Sequence, residues 1–360
     1  FSEKVFDEKS EEEILYSNLV LGLKDYIEKN NTAFKSFQLA NFAMFLQQAH
    51  SSLRSRHVED EFIKPNLEVE SNKRKWRPFQ LAFLLLNLNS IPIDDDYNEE
   101  ASKIVDLIWF PTGGGKTEAY LGVAAYSMIL SRFKNKNNPG TEVIMRYTLR
   151  LLTSQQFERA SSLIFALEHL RKNNYFDDDE ITNSEIGFSA GLWVGEALTP
   201  NTIKNAKYAL REMTNENGPN KFSVLECAWC KTSLVDHHFA GYSATSDNFS
   251  FKCVEKKCEF YGYLPVNVID EVLYKKPPTL LLSTVDKFAQ LSWKKEPSNF
   301  LGEFNGKAPS LIIQDELHLI TGPLGSMCGI YETLIEDLCT NKETNSFFKP
   351  KIVCSTATIR

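Results

Sequence analysis

An apolar run of strand length, Ile104 to Phe110, breaks at Pro111-Thr112 into three successive glycines, Gly113, Gly114 and Gly115, and then Lys116 and Thr117. Three residues without side chains let consecutive backbone N–H groups turn inward onto one anion. The stretch that follows, Lys116 to Leu130, is rich in Ala, Leu, Val and Met and has helical length. Strand, glycine turn and helix in that order point to a parallel sheet with helices packed on it. The helix N-terminus adds partial positive charge where a phosphate would sit. Lys116 is placed to reach β- and γ-phosphates, and the Thr117 hydroxyl to ligate magnesium. The pattern departs from the usual loop at one position. Five residues before Gly115, where Gly or Ala is customary, stands Phe110.

A phosphate loop does chemistry only with an acidic partner. Leu311 to Gln314 is an apolar strand ending in Asp315-Glu316. Asp315 is expected to hold magnesium through water, and Glu316 to polarise an attacking water. Both are expected at the C-terminal end of a strand beside the loop, where open α/β sheets bind ligands. Val266 to Glu271 carries nearly the same apolar-then-acidic pattern and is the competing choice. The sequel Leu317-His318 and the downstream Ser355-Thr356-Ala357-Thr358 favour Asp315-Glu316.

Four of the seven cysteines group as Cys227-x-x-Cys230 and Cys253-x4-Cys258. Four thiolates at these spacings suit a structural zinc ion, clipping a ribbon of roughly Lys221 to Leu264 that has too little core to fold unaided. Trp229, Phe239, Phe251, Phe260 and Tyr261 are expected to cap it. A disulfide pair and unpaired buried thiols are the alternatives, and His237 or His238 could stand in for one thiolate. Cys328, Cys339 and Cys354 sit in apolar surroundings and read as core. The ribbon is expected to project toward nucleic acid or a partner.

With 360 residues, 42% hydrophobic and 24% charged, the chain can bury a large core. No run is apolar and long enough to span a membrane, and a cytoplasmic location is expected. The net charge of −7 argues against a uniformly basic coat, leaving at most a local groove. Arg146, Arg150 and Lys287 either line such a groove or are solvated surface charges. Glu11 to Lys29 and Phe34 to Leu53 show helical apolar spacing, Ile186 to Val194 reads as a strand, and Asn201 to Asn215 as a helix. The expected division is a helical N-terminal extension over 1–72, the two parts of a RecA-like α/β domain over 73–221 and 266–360, and the zinc ribbon inserted over 222–265.

Six segments in order resemble superfamily 2 helicases. The phosphate loop and Asp315-Glu316 are two. Trp76-Arg77-Pro78-Phe79-Gln80 resembles the motif in which a Gln reads the adenine edge and an upstream aromatic stacks on the base. Tyr147 to Gln155, with Thr148, Arg150, Leu151 and Gln155, resembles a motif that grips a single strand's backbone. Ser283 to Lys287, with Thr284 and Lys287, resembles the next strand-contacting motif. Cys354 to Thr358 resembles the motif coupling hydrolysis to strand movement, with Ser355, Thr356, Thr358 and the upstream His318. Within that superfamily, Trp76 to Leu86, Trp109 to Tyr120, Pro277 to Trp293 and Asp315 to Ser326 resemble the DrmA helicases of DISARM anti-phage systems. Gly322-Pro-Leu-Gly325 carries most of that distinction. The resemblance runs from about Arg74 to Arg360. It implies ATP and Mg²⁺ as ligands, DNA as the substrate, a DUF1998-containing DrmB-like partner, and a DNA methyltransferase in the same system. It also implies that a second RecA-like domain, absent here, supplies an arginine finger, so that this chain alone hydrolyses ATP poorly. A nucleotide-gated clamp on DNA and an RNA-directed remodeller are the rival readings.

Overall fold

The computed structural model describes residues 30–93, 98–111, 113–148, 150–216, 219–303, 307–339 and 349–357, without the side chains of 150–154, Glu216 and His238. The expected helix over Glu11 to Lys29 lies outside the described residues, as do Thr112, Thr358 and the Arg150 side chain.

Among the described residues nine strands form: β1 (Asp106–Trp109), β2 (Val143–Tyr147), β3 (Ala190–Trp193), β4 (Tyr242–Ala244), β5 (Phe249–Phe251), β6 (Val266–Asn267), β7 (Leu280–Thr284), β8 (Leu311–Gln314) and β9 (Lys351–Thr356). Seven of them make one sheet in the order β1-β9-β8-β2-β7-β3-β6, with every pairing parallel. β2, β3, β7 and β8 are buried along their whole length. That is why their sequences run apolar without alternating: helices cover both faces of a parallel sheet. The longer helices are α1 (Asn31–Ser51), α2 (Pro78–Asn87), α3 (Lys116–Lys134), α4 (Arg150–Lys172), α5 (Ile203–Glu216) and α6 (Gly322–Leu338). The fold is α/β with the parallel sheet and flanking helices expected of a RecA-like domain.

α3 is buried on all sides from Ala119 to Arg132, because α1 lies against both α3 and α4 on the side away from the sheet. Small residues make this close stacking possible. A Cβ at Gly122 would sit 3.0 Å from the Trp76 ring. Asn30 caps α1 by accepting from the Ala33 N–H at 2.9 Å, which fixes where the helix begins.

β4 and β5 form a separate antiparallel hairpin inside the cysteine-bearing segment. Two strands of three residues have little stability of their own. Their support is an aromatic cluster, Phe222, Tyr242, Phe249 and Phe251. The segment is seated firmly on the body of the fold. Trp229, Phe260 and Leu264 join the same continuous apolar core as α1, α3 and the sheet. Lys231, itself buried, ion-pairs with Glu158 on α4 at 2.6 Å and with Glu226 at 2.8 Å. The His50 ring stacks on Trp229 at 3.5 Å, and its Nδ1 lies 2.7 Å from the Trp229 carbonyl. Burial lowers the His50 pKa to about 4, which keeps that stacked ring neutral.

Candidate nucleotide site and metal centre

The glycine loop leaves the C-terminal end of β1, and Asp315 and Glu316 leave that of β8, two strands away across β9. Gly113, Gly115, Lys116, Thr117, Asp315 and Glu316 line one cavity of about 720 Å³, a size that suits a small-molecule ligand. Gly113 and Gly115 take left-handed φ values of 77° and 89°, which residues with a Cβ rarely adopt. Gly114 sits so close to Phe110 that a Cβ there would lie 2.5 Å from the ring. Phe110, the departure from the usual loop, stacks on Phe79 at 3.9 Å with the rings 10° apart. The position customarily small is thus filled by a ring that ties the loop to α2.

Lys116 is buried and donates to the Phe110 carbonyl at 2.8 Å. The Asp315 carboxylate accepts the Tyr120 hydroxyl at Oδ2 (2.8 Å) and the Glu316 N–H at Oδ1 (2.9 Å). Burial pushes the Tyr120 phenol well above its ordinary value, and the nearby Tyr147 phenol is raised for the same reason. Glu316 has a left-handed φ of 50°, a strained choice for a residue other than glycine. Its carboxylate lies 3.3 Å from His318 Nδ1, which also lies 3.0 Å from the Thr356 hydroxyl. Ser355 is buried, with no hydrogen-bond partner for its hydroxyl among the described residues.

Both residues expected to contact a base also hold protein partners. Both ends of the Gln80 amide are occupied: Oε1 accepts the Arg77 N–H at 2.8 Å, and Nε2 donates to the Gly115 carbonyl at 2.7 Å. Gln80 is thus a strut from α2 to the loop, and its second amide N–H and second carbonyl lone pair are what it has left for an adenine edge. Arg77 joins it by donating to the Gly114 carbonyl at 2.6 Å. Trp76 is not a free stacking platform. Its ring packs toward Gly122 and its indole N–H donates to Asn41 at 2.6 Å. The sequence reading also missed cavity residues. Gln47, Gln48, Ser51 and Ser52 at the end of α1, and the Arg159–Glu118 ion pair, line the same space. No local motif marks them, since they arrive by helix packing.

The residues expected to contact a strand are scattered in character. Gln155 is exposed and lines a second cavity of about 780 Å³ between α4 and the cysteine segment. Thr148 is partly buried and Thr284 fully so. Lys287 is a correction: it lies past the C-terminal end of β7 but is buried there, 2.6 Å from Asp270, and lies over the Trp193 ring. Burial pushes the Asp270 carboxyl up, while the Lys287 ammonium works against that rise. Arg146 is likewise buried, paired with Glu332 at 2.5 Å. Neither cation lines an open groove. Lys287→Ala is therefore expected to cost about 3–5 kcal/mol of stability by stranding a buried carboxylate. Urea denaturation checks this. A variant as stable as the parent that binds single-stranded DNA less tightly would restore the strand-contacting role.

The competing acidic pair stands elsewhere. Asp270 is committed to Lys287, and Glu271 accepts the Ile203 N–H at 2.9 Å and Lys275 at 2.9 Å. Both follow β6 at the sheet's far edge, and neither lines the glycine-loop cavity.

The sulfur atoms of Cys227, Cys230, Cys253 and Cys258 all lie within 4.8 Å of one another, and all four residues are buried. Cys230 and Cys253 sulfurs are 3.6 Å apart. A tetrahedral ion with Zn–S bonds of about 2.3 Å would hold sulfurs roughly 3.8 Å apart, so the donor set fits zinc. Backbone bonds shape the first knuckle: the Lys231 N–H donates to Cys227 at 2.8 Å and the Cys227 N–H to Thr232 at 2.9 Å. Hydrogen bonds from the neighbouring thiols favour the Cys230 thiolate, whereas burial disfavours ionisation of Cys227. His237 is exposed and lies outside the cluster. Of the remaining cysteines, Cys339 and Cys354 are buried as expected, but Cys328 is only partly covered.

No described helix is long and apolar enough to cross a membrane. No protein-family model matches the chain. It is 38% identical over 384 aligned positions to the DISARM protein DrmA of Bacillus paralicheniformis, an alignment covering 92% of this chain and 33% of that protein. The chain thus spans about a third of the length of that relative. Among solved structures, a likeness to the DUF1998 helicase MrfA covers 81% of this chain and 28% of the other, at 12% identity and a TM-score of 0.40.

Proposed function

We propose that this chain, a relative of DrmA, is the ATP-binding half of a helicase or translocase motor that acts on DNA in defence against phage. The supporting observation is the convergence of Gly113, Gly115, Lys116 and Thr117 with Asp315 and Glu316 on one cavity. In this reading the loop N–H groups and the α3 N-terminus take the phosphates. Lys116 leaves the Phe110 carbonyl and points its ammonium at the β- and γ-phosphates. Thr117 and Asp315 would hold magnesium, which neutralises charge on the phosphate oxygens. Glu316 accepts a proton from the attacking water. The Glu316–His318–Thr356 contacts then give the end of β9 a means of registering the state of the acidic pair. Cys227, Cys230, Cys253 and Cys258 hold a structural zinc; four thiolates leave no open position for water. A DUF1998-containing DrmB-like subunit is the proposed partner, on the strength of the relationship alone.

The test is ATP turnover by the full-length protein without nucleic acid, with single-stranded DNA and with RNA, using Glu316→Gln as the blank. Strong stimulation by DNA over RNA is expected. A slow rate indifferent to both would instead support a nucleotide-gated clamp, and preference for RNA would support a remodeller of RNA.

A further inference from the structure

Tyr120 stands three residues after Thr117 on α3, one helical turn along the same face, and reaches Asp315 at the end of β8. It is wholly buried. Its hydroxyl is 2.8 Å from Asp315 Oδ2 and 3.2 Å from Thr117 Oγ1. One phenol oxygen therefore touches both side chains assigned to magnesium. A phenol has one proton to give, and the carboxylate can only accept, so that proton goes chiefly to Asp315. The longer contact, 3.2 Å to Thr117 Oγ1, is the second arm of the same donor, so one phenol proton shared toward Asp315 and Thr117 holds the two acceptor oxygens at fixed places beside each other. With the Glu316 N–H on Oδ1 at 2.9 Å, both oxygens of Asp315 are held and the plane of the carboxylate is fixed.

We propose that the Tyr120 hydroxyl is a positioning group that orients Thr117 and Asp315 together and so sets the affinity of the site for a divalent cation bound with nucleotide. This rests on the ATP reading above and deepens it. Partners that aim metal ligands without touching the metal commonly govern affinity by about 10- to 100-fold. The alternative is a core tyrosine whose hydroxyl is merely satisfied by a convenient carboxylate. That alternative predicts lower stability on removing the hydroxyl and no selective change in metal binding.

The experiment is a titration of Mn²⁺ with ATP present, free Mn²⁺ being read by electron paramagnetic resonance, alongside ATP binding in chelator. Tyr120→Phe keeps the ring that the core packs around and removes one oxygen. Tyr126→Phe removes an equally buried hydroxyl from the same helix, roughly 9 Å further along its axis. Tyr120→Phe is expected to weaken Mn²⁺ binding about tenfold or more, with metal-free ATP binding unchanged and Tyr126→Phe behaving as the parent. The quantity read is the ratio of ATP affinity with metal to that without it in the same sample, so any unfolded fraction cancels. An unchanged ratio in Tyr120→Phe, with the parent binding Mn²⁺ and ATP normally, overturns this inference and leaves the nucleotide site standing. A parent chain that binds neither overturns both.

Discussion

Cys230→Ser is expected to take the zinc content from one ion per chain to none and to unfold the segment around it. Structural zinc contributes on the order of 10–16 kcal/mol of apparent binding energy to small zinc-dependent folds. The segment here has only one hairpin of three-residue strands, too little to stand without the ion. The damage should spread along identifiable contacts. His50 of α1 stacks on Trp229, between Cys227 and Cys230, and the Arg56 guanidinium donates to the Cys230 carbonyl at 3.1 Å and pairs with Glu255 at 3.0 Å. Loss of the knuckle removes what these groups pack on, so the end of α1, which lines the glycine-loop cavity, should loosen with it. Metal analysis gives the stoichiometry, and hydrogen exchange over 45–60 and 222–265 follows the spread. A metal-free chain that is fully folded would refute the zinc assignment.

Glu316→Gln is expected to leave ATP bound and to lower turnover by about 10²–10⁴-fold, the range for removing a general base. Glu271→Gln is its discriminating partner. Glu271 holds the Ile203 N–H and Lys275 and follows β6, four strands from β8, roughly 19 Å at ordinary strand spacing. Its replacement should leave turnover within about twofold and act at most on stability, since it is a surface contact at a helix end. Steady-state ATP hydrolysis by the full-length protein checks both. The reverse pattern would mean that the wrong acidic pair had been chosen.

The sequence was most legible where one local pattern demands one backbone. Three glycines after an apolar strand leave few alternatives, and the structure has a strand, a turn with two left-handed glycines and a buried helix there. The cysteine spacing was legible for the same reason. The apolar runs of β2, β7 and β8 could be read as buried strands, although their order in the sheet depends on long-range pairing. Side-chain duties were less legible, because they depend on partners brought from far along the chain. Lys287 looks like a strand-contacting cation until Asp270, seventeen residues earlier, is found beside it in the core. Gln80 looks like a residue with no protein duty until the loop carbonyl of Gly115 is found accepting one of its two amide protons. Trp76 meets Asn41 only because α1 folds back over α3. Tyr120 sits within the glycine-loop motif itself, yet its partner Asp315 is 195 residues away. How firmly the ribbon is anchored was not legible either: its aromatics share the apolar core of the sheet and α1.

The central claim is that the cavity at the end of β1 and β8 binds a nucleoside triphosphate through the glycine loop. Titration of this chain with a fluorescent ATP analogue and Mg²⁺, with and without Lys116→Ala, tests it most directly. Saturable binding that unlabelled ATP displaces, weakened at least about 100-fold by Lys116→Ala, is the predicted result; losing a charge-assisted contact to two phosphates justifies an effect of that size. Equal affinity in the parent and in Lys116→Ala would contradict the account.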